Sequence, residues 1–340
     1  MIFTMHSHSG QFCPGHAKDN LEDIIKHAIG LGYTTMGLTE HMPRTGLDDL
    51  YPEELDDPEG SLAELAPRHA AYLQEAQRLQ ALYAPQISLL IGFEGEWLRP
   101  SYRDLVTELA SHPAIDYFIG SLHHVNGVPI DYDKEYYTRA MASVDASPNV
   151  LTNGTTVTNP TEAKDESQKI EDGEERMYKR YYDQQYEMLT ALRPRVVGHF
   201  DLIRLMSVDP GRDVRRWPGV WERIERNLTF VASYGGWLEC NSSALRKGLA
   251  EPYPCRCIAE KWISLGGRFT LSDDSHGIAQ VGTNYGRALD YLASLNVTTL
   301  WTFRKQSGPE VTECEKVPAS GLVDVAIAMD GIQSVVSKWS

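Results

Sequence analysis

The chain has 340 residues, 42 % of them apolar, with 17 Tyr and 7 Trp, enough to bury a large core as one large or two ordinary domains. A net charge of −15 argues against a nucleic-acid surface, which needs clustered Lys and Arg, and no apolar run reaches the length of a bilayer span. Five cysteines at irregular spacing speak against a disulfide framework, and the absence of a basic and then apolar leader makes the cytosol the expected compartment. Without such a leader, the N-x-S/T sequons at Asn153, Asn227, Asn241 and Asn296 carry no weight.

Short apolar strands alternate with amphipathic helices. Strands are predicted over 2–6, 34–40, 87–94, 116–122, 195–200, 236–240 and 267–273. A helix over 19–32 places Leu21, Ile24, Ile25 and Ala28 on one face, with Asp19 or Asn20 as cap and Gly30 or Gly32 as stop. Further helices are predicted over 61–84, broken at Pro67, and over 176–192 and 220–235. Residues 143–175, rich in Ser, Thr, Asn and acid, read as a disordered surface insertion. The expected organisation is one barrel domain over 1–305 and an extension over 306–340 packed on it, with a terminal helix over 323–339. Repeated strand–helix–strand units indicate a parallel α/β sheet with right-handed crossovers, and about seven of them favour a closed barrel.

Polar residues collect where these strands end. In chain order they are His6 and His8; Glu40 and His41; Glu94; His123 and His124; His199 and Asp201; Glu239 and Asn241; and Asp273, Asp274 and His276. Seven of the 11 histidines stand at such an end, and an eighth, His16, follows in the first such loop. A single histidine there is commonly a hydrogen-bonded surface residue, and His27, His69 and His112 fit that description. The joint pattern is different, because all strand C-termini of a parallel barrel meet on one face. Imidazoles and carboxylates converging there form the donor set of a multinuclear metal centre. His6 and His8, two apart on a strand, point to the same side and can reach one ion. The C-x-C at 255–257 lacks a second pair, so these cysteines read as structural thiols.

The motifs HSHS (6–9), GHA (15–17), LTEH (38–41), GFE (92–94), GSLHHVNGVPIDYD (120–133), VVGHFDL (196–202), ECNSSALRK (239–247), EPYP (251–254) and LSDDSHG (271–277) resemble those of the polymerase-and-histidinol-phosphatase (PHP) superfamily, and within it the histidinol-phosphatases. The resemblance covers roughly residues 4–290 and implies a distorted (β/α)7 TIM-like barrel holding two to three divalent ions, Zn, Fe or Mn. Carried over position by position, it implies nine ligands: His6, His8, His16, His41, Glu94, His123, His199, Asp274 and His276. GSLHH also offers His124, and SDDSH also offers Asp273; the G-S-x-H and D-x-H spacings favour His123 and Asp274.

The resemblance implies L-histidinol phosphate as substrate, and the expected reaction is phosphomonoester hydrolysis by hydroxide made available at the metals, which also neutralise the phosphoryl oxygens. Arg246 is the first candidate for the phosphate clamp, followed by Lys247 and Arg204. His124 is a candidate general acid, Glu40 an orienter of its neighbour His41, and Asp131, with Tyr132 and Asp133, a partner for the cationic histidinol end. The competing expectation is another PHP phosphoesterase acting on a different small phosphomonoester or a nucleotide. An amidohydrolase-type centre is disfavoured because strand four carries no Lys, and a protein without turnover because the ligand set is complete.

Overall fold

The structure, a computed structural model, describes residues 1–145, 166–305 and 321–339. Its barrel strands are β1 (Ile2–Thr4), β2 (Tyr33–Leu38), β3 (Ser88–Glu96), β4 (Tyr117–Ser121), β7 (Val196–Val197), β8 (Trp237–Asn241) and β9 (Arg268–Ser272). The short rungs β5 (His124–Val125) and β6 (Val128–Pro129) form a hairpin after β4. Barrel neighbours follow in the order β1-β2-β3-β4-β7-β8-β9, all parallel, with Met36 opposite Leu89, Glu94 opposite Ile119 and Leu238 opposite Phe269. The ring closes where Met5 N–H donates to the Leu271 carbonyl at 3.1 Å and Ser7 bridges Ser275 in parallel. The expected (β/α)7-type barrel is therefore the observed fold.

Each crossover buries one helix face. Helix α1 (Leu21–Gly30) turns Leu21, Ile24, Ile25 and Ala28 inward, as its periodicity predicts, and Gly32 with φ +87° lets the chain turn into β2. Helix α2 (Pro58–Tyr83) runs through Pro67 instead of breaking there. Pro67 and Ala63, one turn earlier, are both exposed, so the carbonyl deprived of its donor faces water. The remaining helices are α3 (Tyr102–Ala110), α4 (Lys134–Ser143), α5 (Glu166–Leu192), α6 (Pro218–Ser233), α7 (Ser243–Arg246), α8 (Arg256–Ser264) and α9 (Tyr285–Ser294).

The predicted insertion over 143–175 is corrected at its C-terminal end. Residues 146–165 lie outside the described residues, but α5 begins at Glu166. Glu174 is fully buried, accepting from Tyr137 Oη at 3.1 Å, Ser207 Oγ at 3.0 Å and Val208 N–H at 2.9 Å. Composition reads that stretch as unburiable; long-range partners make its acid a core residue.

The terminal helix predicted over 323–339 is likewise corrected. Strand β11 (Leu322–Ala328) comes first and pairs antiparallel with β10 (Thr299–Lys305); α10 covers only Met329–Val336. Residues 323–328 alternate inward and outward, a period of two that the pairing satisfies. The expected division at 305/306 borders residues 306–320, which lie outside the described residues, while the strands on either side are paired. Phe303 of β10 stacks on Trp237 at 4.3 Å, at the start of β8, so this hairpin covers the N-terminal end of the barrel. The opposite end is left for the polar residues.

Candidate metal centre and substrate pocket

Just past β1, Ser7 is pinned outward, its Oγ donating to the Gly37 carbonyl at 2.7 Å and its N–H to Thr39 Oγ1 at 3.0 Å. Alternation then turns His6 and His8 to the barrel axis, with ring centroids 5.0 Å apart. Glu94, near the end of β3, lies at the centre of the cluster. Its Oε2 is 3.3 Å from His6 Nε2, 3.5 Å from His8 Nε2 and 3.1 Å from His41 Nδ1. Its Oε1 is 3.3 Å from His123 Nε2 and 2.9 Å from His199 Nε2. Asp274 Oδ1 completes the other side, 3.4 Å from His8 Nε2 and 3.7 Å from both His6 Nε2 and His276 Nδ1.

Among the described residues, three groups have donor atoms close enough to share an ion: His8, His41 and His276; His6, His8 and Asp274; and Glu94, His123 and His199. His16, the ninth candidate, stands at the rim, its ring 4.8 Å from His276 and 5.4 Å from His41, and its Nδ1 is 2.8 Å from Glu53 Oε1. His6 Nε2, His8 Nδ1 and Nε2, His41 Nε2, His199 Nδ1 and His276 Nε2 are buried without a hydrogen-bond partner. Leaving so many polar atoms unpaired costs about 1–3 kcal/mol each unless something binds them. Nitrogen and carboxylate donors facing one another at this density suit divalent cations.

The electrostatics divide these side chains. Burial opposes ionisation of Glu94, but His6 and His123 outweigh it and hold the carboxyl well below the usual range. Asp274 is held low in the same way by His6, His8 and His276. Burial would lower His6, yet Glu239, Glu94 and Asp274 raise it well above the usual imidazole value. Burial, reinforced by the neighbouring His8, lowers His41 to about 3 and takes His276 well below its usual value. One group is thus already neutral imidazole, the form that binds metal.

Above the cluster opens a cavity of about 350 Å³. Its walls include Arg246, Lys247, Asp131 and Tyr132, all anticipated from the sequence, together with Tyr51, Glu53 and Gln280, which were not. Arg246 donates from both terminal nitrogens, at 2.9 Å each, to the carbonyls of Asp273 and Asp274. The two members of each doublet are placed differently. His123 joins Glu94 and His199 and lines the cavity; Asp274 joins His6 and His8, while Asp273 accepts from Thr4, Ser275 and Gly282.

Three expectations are corrected. His124 does not line the cavity; its ring stacks on Tyr51 at 6.0 Å with Nδ1 3.5 Å from Glu96, so it lacks a general acid's access. Arg204 is buried and committed, its Nε to Asp201 at 2.8 Å and its Nη2 to the carbonyls of Glu251 and Pro252 at 2.9 and 2.7 Å. Glu40 accepts from Ser9 N–H at 3.0 Å and Ser9 Oγ at 2.5 Å, so it holds the backbone behind His8 instead of the His41 ring. Burial raises Glu40 to about 8 against those two bonds. The residue that does hold a ligand ring beside β3 is Glu96, with Oε2 2.5 Å from His123 Nδ1. Its position two after Glu94 on one strand was the available signal. Glu53 had none, since its loop shows no periodicity.

A parallel seven-stranded barrel thus carries, at its strand C-termini, His/carboxylate clusters suited to divalent ions. The profile of the PHP domain matches residues 4–243, and the chain belongs to the PHP domain family. It is 37 % identical to the "Probable histidinol-phosphatase" of Schizosaccharomyces pombe, across 98 % of this chain and 99 % of that one. It is 30 % identical to the histidinol-phosphatase of Saccharomyces cerevisiae, across 94 % and 97 % respectively. Among solved structures it resembles the histidinol phosphate phosphatase of Lactococcus lactis subsp. lactis, complexed with zinc, L-histidinol and phosphate, with TM-score 0.58, 18 % identity and coverage of 88 % and 95 %.

Proposed function

We propose that this chain is a metal-dependent phosphoric monoester hydrolase that converts L-histidinol phosphate to L-histidinol and phosphate. The observation that carries the proposal is the set of unpartnered buried ring nitrogens around Glu94 and Asp274, directly beneath a cavity flanked by Arg246. The residues that would hold the ions are His6, His8, His16, His41, Glu94, His123, His199, Asp274 and His276. Divalent ions bound there supply Lewis acidity toward phosphoryl oxygens and a lowered pKa for a water.

The protein's own groups do the rest. Arg246 spends two of its five N–H donors on backbone carbonyls and keeps three, in a fixed plane, for the phosphate. Lys247 adds charge at the same wall. Asp131 and Glu53 give the cavity an acidic side for the ammonium and imidazole of the substrate, and Pro129 and Leu202 give it apolar contact. Burial alone would raise the Glu53 carboxyl, but the His16 hydrogen bond and Arg44 leave it below its usual value and charged. A cavity of about 350 Å³ is of the size to take a single small phosphomonoester.

The test is phosphate release from histidinol phosphate, sugar phosphates, mononucleotides and a dinucleotide, with and without chelator. Chelator-sensitive preference for histidinol phosphate is expected. Equal rates across the panel would reject the substrate and leave a PHP phosphoesterase of other specificity; no release after reloading with Zn, Mn or Fe would reject the activity.

A further inference from the structure

Glu239, midway along β8, belongs to none of the three ligand groups, yet it is fully buried in the barrel beneath the cluster. Alternation places Trp237, Glu239 and Asn241 on one side of the strand, at the base, middle and top of the barrel. The Glu239 carboxylate is surrounded by four partners from four different strand ends. Its Oε1 receives His6 Nδ1 at 2.8 Å and Ser272 Oγ; its Oε2 receives the His199 backbone N–H at 2.8 Å and Asn241 Nδ2 at 3.1 Å. Two of these, the amide of His199 and the Asn241 amide nitrogen, can only donate. The histidines involved are 233 and 40 residues away in sequence.

We propose that Glu239 is the positioning residue of the centre: it holds the Nδ1–H of His6, so that Nε2 presents its lone pair, and anchors the backbone that carries His199. A carboxylate is suited to this because it accepts on both oxygens. His6 Nε2 is indeed an unpartnered buried atom facing Glu94 and Asp274, as required of a nitrogen kept free for an ion. Glu239 thus links one member of the His6–His8–Asp274 group to one member of the Glu94–His123–His199 group. The same arrangement recurs once more across the cluster, where Glu96 takes His123 Nδ1.

Glu239→Gln separates this role from simple packing. The amide has the same shape but one acceptor oxygen, and its NH2 must then face two donors. The low-cost escape is to turn that NH2 toward His6, making Nδ1 the acceptor and moving the ring proton to Nε2. That blocks the metal-facing nitrogen without removing it.

The inference rests on the metal-centre reading, and the measurement separates the two. Zinc affinity is determined by competition with a chromophoric chelator on stripped wild-type protein and stripped Glu239→Gln, both checked for fold by circular dichroism. Loss of an outer partner of this kind lowers affinity about ten- to a hundred-fold, which is the expected result. A folded Glu239→Gln within about threefold of wild type overturns the proposal while leaving the metal centre intact, and wild type that binds no zinc overturns both. Should the variant fail to fold, zinc-loaded wild type labelled with nitrogen-15 in histidine decides. A slowly exchanging proton on His6 Nδ1, with zinc on Nε2, is expected, and zinc on Nδ1 overturns the proposal.

Discussion

Replacing Arg246 by alanine removes a guanidinium with two tasks. Its bonds to the Asp273 and Asp274 carbonyls fix the chain where Asp274 sits at φ +47°, a left-handed conformation that a non-glycine residue adopts at a cost of about 1 kcal/mol. The side chain lines the cavity wall and has three further N–H groups. Two charge-assisted hydrogen bonds to a phosphate contribute about 3–4 kcal/mol, which corresponds to a loss of roughly a hundred- to a thousand-fold in kcat/KM. Because Asp274 also loses its brace, kcat falls along with the rise in KM. Lysine restores the charge without the fork, so Arg246→Lys should remain about tenfold or more below wild type. Steady-state kinetics on histidinol phosphate, with metal content measured in parallel, provides the assay. An Arg246→Ala enzyme within about threefold of wild type in kcat/KM would refute the assignment of Arg246 to the phosphate.

Arg204→Ala should act on stability instead. It leaves Asp201 buried without its cation, a loss of about 3–5 kcal/mol, readable as a lower urea midpoint; an unchanged midpoint would mean the pair is dispensable. His69 should contribute to acid sensitivity. Burial, with His112 adding, lowers it to about 4, and neither ring nitrogen has a partner. The unfolded chain therefore takes up a proton near the ordinary imidazole value while the folded one does not, so this contribution is present above pH 6.5 and is lost as pH falls toward 4. Between pH ~7.5 and pH ~5, His69→Leu should lose about 2 kcal/mol less stability than wild type, by urea unfolding; equal losses would show that His69 titrates normally.

Much of this molecule was legible in its sequence because the deciding physics is local. Apolar runs separated by amphipathic helices specify parallel strands, and the residue after an apolar run lies at a strand end whatever the rest of the chain does. That places His6, His8, His41, Glu94, His123, His199, Asp274 and His276 on one face before any contact is known. Alternation within a strand likewise makes His6 and His8 point together. Other questions depend on what stands opposite. Arg204 and Arg246 are equivalent in sequence, each following a strand end, but one meets Asp201 and two carbonyls in the core and the other opens onto the cavity. Glu40, Glu53, Glu96 and Glu239 are four similar acids. Only the closing of β1 against β9, and the order of the strands between them, decides that Glu239 meets His6, Glu96 meets His123, Glu53 meets His16 and Glu40 meets Ser9. A carboxylate has no intrinsic preference among such donors, so its role is set by the neighbours that folding brings to it, 233 residues away for Glu239 and 27, 37 and 31 for Glu96, Glu53 and Glu40.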